Sequence, residues 1–291
     1  MALISHTLIT PTLTTRNHDR DIAGMTYVYP VVSRRAGGVS VGVNLNPNNA
    51  CNWRCIYCQV PDLKRGGPPP IDLALLADEL RRMLGDIVSG DFMQRNVQEG
   101  MRHLNDVALS GNGEPTSAPE FPAVVALIGK VLADFDLAGK IKLVLITNGS
   151  LAGKDYVQAG IRAMAGLNGE VWFKFDRASR AGLGLVNDTE TVPERHFQRL
   201  KVVSGLCPTW VQTCMFSLGG AAPGESEIAA YLAMLARARQ EIPALQGVLL
   251  YGLARPSLQP ESPRLGQLPL QWLEDLAGRI RASGLEVRVS P

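Results

Sequence analysis

Three cysteines stand close together in one short stretch of the chain. Cys51, Cys55 and Cys58 are spaced C-x3-C-x2-C. A structural zinc ion takes four protein ligands, and most iron–sulfur clusters take four cysteines. Three thiolates therefore predict a [4Fe–4S] cluster with one iron left open for a ligand that is not protein. The surrounding side chains are polar, which argues against three apolar cysteines in a core strand: Asn48, Asn49, Asn52 and Arg54.

A zinc site is the alternative for the same cysteines. It needs a fourth ligand from elsewhere in the chain, and the candidates are few: His6, His18, His103, His196, Cys207 and Cys214. The two cysteines in this set are seven residues apart and have apolar neighbours. We therefore expect both of them in the core.

The composition describes a globular protein in a reducing compartment. The 291 residues are 46% hydrophobic and carry a net charge of +2, which is no strong electrostatic footprint for nucleic acid. No run of about 18 apolar residues predicts a membrane span. The first residues do not follow the pattern of a signal peptide, and five cysteines, three of them clustered, do not form a disulfide framework. We expect a cytoplasmic protein.

Apolar runs typical of strands alternate with amphipathic segments typical of helices. Six strands are predicted near residues 39, 107, 142, 171, 210 and 248, and a last one at 285–289. Helices are predicted at 71–88, 120–135, 156–164, 193–204, 225–242 and 270–281. Such repeated units predict an α/β fold with a parallel sheet. We expect a partial (β/α)6 TIM-like barrel over residues 27–291, with an N-terminal arm over 1–26; a doubly wound sheet is the alternative.

Polar residues follow the predicted strands, which is where function lies in barrels of this kind. The second strand leads into the turn 111–114, Gly-Asn-Gly-Glu, whose glycines let the backbone approach a ligand and whose carboxylate can meet a cation. The third strand ends at Thr147 and Asn148. The fourth carries Lys174 and Asp176, and a lysine that points into a barrel needs a partner. Weaker candidates for catalysis or substrate binding lie on or just after the fifth and sixth predicted strands: Gln212, Ser217 and Arg255.

The cysteine spacing, with the aromatic Tyr57 before the last cysteine, resembles the signature of the radical S-adenosylmethionine (SAM) superfamily. In that superfamily three cysteines hold a [4Fe–4S] cluster, SAM chelates the open iron, and the core fold is a partial (β/α)6 barrel. The turn 111–114 is similar to the superfamily's Gly-Gly-Glu motif, with one residue inserted, and that motif binds the ammonium of SAM. The resemblance implies these contacts to SAM: Tyr57, Gly111, Asn112, Gly113, Glu114, Thr147, Asn148, Lys174 and Asp176.

The resemblance also implies a reaction. The reduced cluster cleaves SAM to methionine and a 5′-deoxyadenosyl radical, which abstracts hydrogen from a substrate, and a flavodoxin or ferredoxin supplies the electron. Residues 32–35, the glycine-rich run, the cysteine loop and residues 254–256 together resemble the branch related to wyosine-forming tRNA enzymes. Members of that branch that modify tRNA carry a second cluster on three upstream cysteines, and this sequence has none before Cys51.

Two other functions stay open. An iron–sulfur electron carrier or sensor needs no pocket for an amino acid, so the turn 111–114 argues against it. Modification or binding of RNA would use a local basic patch, for which the candidates are Arg34, Arg35, Lys64 and Arg65. The sequence names neither the substrate nor a catalytic acid or base.

Overall fold

The structure, a computed structural model, describes residues 13–14, 23–33 and 37–290. The main sheet of this part has eight strands: β1 Val28–Ser33, β2 Gly38–Val43, β3 Leu104–Leu109, β4 Lys142–Thr147, β5 Gly169–Lys174, β6 Thr209–Cys214, β7 Leu245–Tyr251 and β8 Glu286–Ser290. β1 pairs with β2 in antiparallel fashion, and every other neighbouring pair is parallel. The order of strands in the sheet is their order along the chain.

Helices connect the parallel strands. Their bounds are α1 Leu73–Val88, α2 Phe92–Asn96, α3 Phe121–Asp134, α4 Asp155–Ala165, α5 Arg180–Asn187, α6 Pro193–Ser204, α7 Glu225–Glu241 and α8 Leu270–Arg281. Two pairs of two-residue strands lie outside the main sheet: Ala50–Cys51 with Lys64–Arg65, and Ser217–Leu218 with Leu265–Gly266. Short 3₁₀ turns occur at Glu99–Met101, Pro115–Ser117 and Ser262–Arg264. No helix in the described residues is long and apolar enough to cross a membrane.

The core lies between the helices and the outer face of the sheet. α1 shows how the sequence produces this packing. Asp72 caps the helix by accepting a hydrogen bond from the backbone N–H of Leu75 at 2.9 Å. The helix then buries one face at helical spacing, with Leu76, Leu80 and Leu84 all inaccessible to solvent. The opposite, concave face of the sheet stays available for a site.

The predicted fold class is confirmed: the chain forms an α/β partial TIM-like barrel. The doubly wound alternative is wrong, because a doubly wound sheet reverses its strand order at a switch point and this sheet does not. Predicted and observed elements agree closely where periodicity is strong, and α6 and α8 have the predicted bounds.

Some elements were not predicted. β1 contains Pro30 and precedes a turn, so its sequence does not follow the usual pattern of a strand. Proline is tolerated there because β1 lies at the edge of the sheet. α5 is only eight residues long and contains Gly182 and Gly184, which weaken its helical signal. The arm expected over residues 1–26 falls mostly outside the described residues and stays a prediction. Within it, Leu13 is buried and its N–H donates to the Asn96 carbonyl at 2.7 Å.

Candidate functional site

One cavity opens at the carboxyl ends of the parallel strands, and the three clustered cysteines line it. Cys51, Cys55 and Cys58 are free thiols and are partly buried. Burial is the main reason that the pKa of Cys51 rises to about 12 and that of Cys55 to about 11. These two thiols therefore carry protons in the metal-free protein, and a metal centre must displace those protons when it binds.

The placement of the thiols fits a cluster. Cys51 lies close enough to Cys55 and Cys58 for their charges to contribute to its raised pKa. Among the described residues, no three His, Cys, Asp or Glu side chains converge tightly enough to hold a single metal ion. A mononuclear zinc site requires such convergence. A [4Fe–4S] cluster with one open iron would take three cysteines from the protein, and the three thiols of this loop match that number.

His196 was one candidate for a fourth zinc ligand, and the structure places it in the core instead. Its ring is fully buried and stacks on Phe175 with centroids 5.0 Å apart. Its Nε2 forms a 2.8 Å hydrogen bond with the Lys174 carbonyl. Burial lowers the pKa of His196 to about 4, so the ring is neutral at pH 7. The ring also contacts Trp53 of the cysteine loop, at 5.5 Å between centroids.

The other candidate zinc ligands lie in different settings. Cys207 is buried before β6, as expected of a core residue. Cys214 is buried as well, but it ends β6 and lines the same cavity as the cysteine loop. His103 is exposed. His6 and His18 lie outside the described residues, as do Arg34 and Arg35 of the predicted basic patch.

The cysteine loop is held on one side by the end of α5. The Ile56 N–H donates to the Val186 carbonyl at 2.9 Å, and the Arg54 N–H donates to the Asn187 carbonyl at 3.3 Å. These bonds bracket Cys55 in the sequence. They therefore fix the position of its sulfur relative to α5.

The loop is held on its other side by the segment that follows β7. The Leu258 N–H donates to the Cys58 carbonyl at 2.9 Å, and the Ser257 hydroxyl donates to the Ile56 carbonyl at 2.8 Å. The Gln259 amide donates to the Val60 carbonyl at 3.0 Å. Ser257 and Gln259 are buried, so these bonds are shielded from water.

Charged side chains tie the loop to both of these neighbours. Arg54 forms two parallel hydrogen bonds with the Glu261 carboxylate, at 2.9 and 2.8 Å, and one with Asp188 at 3.1 Å. Arg65 pairs with the same Asp188 at 2.8 Å. Lys64 and Arg65 are the two described residues of the predicted basic patch, and both are exposed. Arg65 is already paired with Asp188.

The turn 111–114 lies beside the cysteine loop and packs against the segment that leads into it. A Cβ on Gly113 would lie 2.2 Å from the Ala50 carbonyl oxygen, and one on Gly111 would lie 2.3 Å from the Asn44 side chain. The Asn112 amide donates to the Asn49 side chain at 2.6 Å. The glycines are therefore needed for a close approach to the protein itself, while the turn as a whole lines the cavity.

Glu114 is 2% exposed and accepts hydrogen bonds on both carboxylate oxygens. The donors are the Thr116 hydroxyl at 2.6 Å, the Thr147 hydroxyl at 2.6 Å and the Asn148 N–H at 2.6 Å. Burial raises the pKa of Glu114, and these hydrogen bonds partly offset that effect. The structure thus brings together the ends of β3 and β4, as strand order predicted. Asn148 lines the cavity, whereas Thr147 is buried behind it.

Lys174, Tyr57 and Asp176 form a hydrogen-bonded chain. The Lys174 ammonium donates to the Tyr57 hydroxyl at 2.8 Å, and that hydroxyl donates to Asp176 at 2.6 Å. Burial alone would lower the pKa of Lys174, but the charges of Tyr251, Asp176 and Cys55 raise it by more. Lys174 is therefore a cation that lines the cavity, paired with Asp176 only through the phenol. The contacts of these three residues with SAM stay a prediction.

The three weaker candidates divide. Gln212 is 1% exposed and lines the cavity, and its Oε1 has no hydrogen-bond partner among the described residues. Arg255 lines the cavity as well, and its carbonyl accepts from the Gln59 amide at 3.2 Å. Ser217 does not line the cavity and begins a two-residue strand that pairs with Leu265–Gly266.

Several residues that hold the site were missed in the sequence. They share one property, a long separation along the chain from the residues of the cysteine loop that they contact: Asn187, Ser257, Gln259 and Glu261. No local pattern marks such residues, because their positions follow from the fold. The last motif of the resemblance, at residues 254–256, lies just before three of them.

Comparison with known proteins adds few sequence relatives. No protein-family model matches the chain. A UPF0026 protein of Helicobacter pylori is 27% identical over 138 residues, which is 46% of this chain and 38% of that protein. The GTPase Obg of Brachyspira hyodysenteriae is 26% identical over 135 residues, or 45% of this chain and 17% of that protein. The chain therefore spans well under half the length of the curated relatives it matches.

Solved structures give a more extensive match. A radical SAM methyltransferase from Sphaerobacter thermophilus superposes with a TM-score of 0.57 at 12% identity, over 87% of this chain and 66% of that one. TYW1 with a lysine–pyruvate adduct bound gives 0.56 at 15%, over 86% and 74%. Spore photoproduct lyase with bound AdoMet gives 0.52 at 8%, over 86% and 75%. At such identities the matches show the fold alone: this chain has the partial barrel of radical SAM enzymes.

Proposed function

We propose that the chain is a radical SAM enzyme that holds a [4Fe–4S] cluster on Cys51, Cys55 and Cys58. One observation carries the proposal: in this fold, the three thiols and the turn 111–114 line a single cavity at the carboxyl ends of the strands. An iron–sulfur carrier has no need of such a cavity. When bound, the cluster and SAM supply the radical chemistry, and the protein supplies binding, orientation and shielding from water.

The residues of the cavity have separate tasks in this proposal. Glu114 presents a buried carboxylate whose pKa is raised, so a cation nearby would stabilise its charged form, and the ammonium of SAM is such a cation. Lys174 also lines the cavity and presents a positive charge there, so its ammonium can pair with the SAM carboxylate or with an anionic group of the substrate. Tyr57 and Asp176 hold the Lys174 ammonium in place, through the hydrogen bonds from Lys174 to Tyr57 and from Tyr57 to Asp176.

The direct test is anaerobic. The protein is reconstituted with iron and sulfide, reduced with dithionite and mixed with SAM, and 5′-deoxyadenosine is measured by chromatography. We expect about four irons per chain and formation of 5′-deoxyadenosine. Cys55→Ala should lose both. Cys207→Ala is the matched control, because Cys207 is a buried cysteine outside the cavity.

The outcomes separate the functions. A Cys55→Ala variant that keeps its full iron load would rule out the assigned ligands. A loaded wild-type protein that binds no SAM would favour an electron carrier or sensor. For the enzyme we also propose a one-electron donor such as a flavodoxin or ferredoxin, because each SAM cleaved consumes one electron. RNA remains a candidate substrate, and its binding would weaken steeply with added salt.

A further inference from the structure

Asn187, the last residue of α5, connects the cysteine loop with the barrel wall. It is fully buried, and its Nδ2 donates to Cys55 Sγ at 3.3 Å and to Asp176 Oδ2 at 2.8 Å. An amide nitrogen has two N–H groups, so each bond uses one of them. The opposite orientation of the amide would set its oxygen against Asp176 Oδ2, an atom that already acts as an acceptor for the Tyr57 hydroxyl. The hydrogen bond to Asp176 therefore orients the Asn187 amide so that an N–H group points at Cys55 Sγ.

Asp176 is itself held rigidly. It is 1% exposed, and besides Asn187 it accepts from the Tyr57 hydroxyl at 2.6 Å and from the Cys214 N–H at 2.9 Å. The backbone bonds from Arg54 and Ile56 to the end of α5 keep Cys55 in register with Asn187. The donor is thus in place before any metal centre binds.

We propose that Asn187 donates a hydrogen bond to the Cys55 thiolate of the loaded protein and thereby raises the reduction potential of the cluster. This inference rests on the proposed function. Reduction adds negative charge to the cluster and its sulfur ligands, so an N–H donor stabilises the reduced form more than the oxidised form. The cluster then accepts an electron at a less negative potential than it would without Asn187.

The test is a potentiometric titration of the reconstituted protein, followed by the electron paramagnetic resonance signal of the reduced cluster. Asn187→Leu keeps a side chain of four heavy atoms branched at Cγ and has no donor. At the wild-type midpoint potential, we expect its ratio of reduced to oxidised cluster to fall roughly three-fold, because only the difference in hydrogen-bond strength between the two redox forms changes this ratio. Asn96→Leu is the control, because Asn96 is also buried and its side chain donates to the Phe92 carbonyl.

A second measurement uses the wild-type chain. Exchange into D2O should shift the iron–sulfur stretching bands in resonance Raman spectra if an N–H group donates to a ligand sulfur. This readout decides the case if Asn187→Leu fails to load iron. An unchanged midpoint in a fully loaded Asn187→Leu protein, or no isotope shift in the wild type, would overturn the inference. A wild-type protein that assembles no cluster would instead overturn the proposed function.

Discussion

The two walls of the cavity are held in place by different means. The wall at Glu114 is made of adjacent strand ends, and its hydrogen bonds to Thr147 and Asn148 span only 33 and 34 residues of sequence. The cysteine loop is held by contacts that span far more, 132 residues to Asn187 and 207 to Glu261. The first wall is a local consequence of neighbouring strands in one sheet. The second depends on the whole barrel being assembled.

This difference has a consequence for metal binding. The cysteine loop is irregular, so its backbone polar groups need partners outside the loop. Those partners come from α5 and from residues 257–261, and either segment can displace the thiols if it moves. We therefore expect the Glu114 wall to govern the stability of the barrel, and the clamps on the cysteine loop to govern the metal centre.

The largest effect is expected at Glu114. Glu114→Ala leaves the Asn148 N–H and two threonine hydroxyls without their acceptor in a buried place, which should cost about 4 kcal/mol of unfolding free energy. Urea denaturation measures this cost. Glu114→Gln keeps an acceptor for Asn148, and its amide can donate to the hydroxyls, so it should cost about 1 kcal/mol.

The same pair of variants tests the role of the charge. Glu114→Gln removes the carboxylate but not the fold, so its affinity for SAM, measured by calorimetry on the loaded protein, should fall about ten-fold. An alanine variant as stable as the wild type would show that this wall is not built on Glu114. Unchanged SAM affinity in the glutamine variant would contradict the proposed contact between Glu114 and the ammonium of SAM.

His196 connects the barrel with the cysteine loop, because its ring stacks on Phe175 of the barrel and contacts Trp53 of the loop. Its pKa is lowered from 6.5 to about 4, so the folded state favours the neutral ring. The resulting stability is fully present above pH 6.5 and is lost as the pH falls toward 4. The loss should approach about 3 kcal/mol.

The measurement is the unfolding free energy as a function of pH. His196→Gln has no titrating ring, and its amide can still donate to the Lys174 carbonyl. We expect the wild type to lose stability more steeply than this variant between pH 6.5 and 4. Parallel curves for the two proteins would show that protonation of His196 does not cause the loss of stability.

The sequence was sufficient for the barrel and for the Glu114 wall. Strand periodicity and the polar residues after each strand place Glu114, Thr147 and Asn148 at one edge, and the structure brings them into contact. The cluster of three cysteines was also visible in the sequence, because its spacing is local; its role as a set of metal ligands stays a proposal. Periodicity could not reveal α5, since its glycines weaken the helical signal, and with α5 the sequence hid Asn187.

The role of Asp176 shows a second limit of prediction from the sequence. A carboxylate at the end of a strand in a barrel predicts a ligand contact, but the hydrogen bonds that Asp176 accepts come from Tyr57, Asn187 and Cys214. Whether such a group faces a ligand or supports its neighbours depends on which donors converge on it. Those donors come from three separate segments, so residue type and register alone could not decide between the two roles.

A smaller effect is expected for the Arg54–Glu261 pair that clamps the cysteine loop. Its side chains are 31% and 23% exposed, so water and salt screen the interaction in part. A double-mutant cycle with Arg54→Met and Glu261→Gln should give a coupling of about 1 kcal/mol. The Arg82–Asp78 pair of α1, more than half exposed and 3.7 Å apart, is the matched control and should give about 0.3 kcal/mol. Equal couplings would mean that the clamp has no special role.

The smallest effect is expected at Ser217, which the sequence placed beside Gln212 as a candidate and the structure separates from it. Ser217→Ala should change the unfolding free energy by less than about 0.5 kcal/mol and leave SAM cleavage unchanged, because this residue does not line the cavity. Gln212→Leu removes a buried carboxamide that faces the cavity, so the yield of 5′-deoxyadenosine should fall. If Ser217→Ala lowered that yield as much as Gln212→Leu, the strand that begins at Ser217 would have to be counted as part of the site.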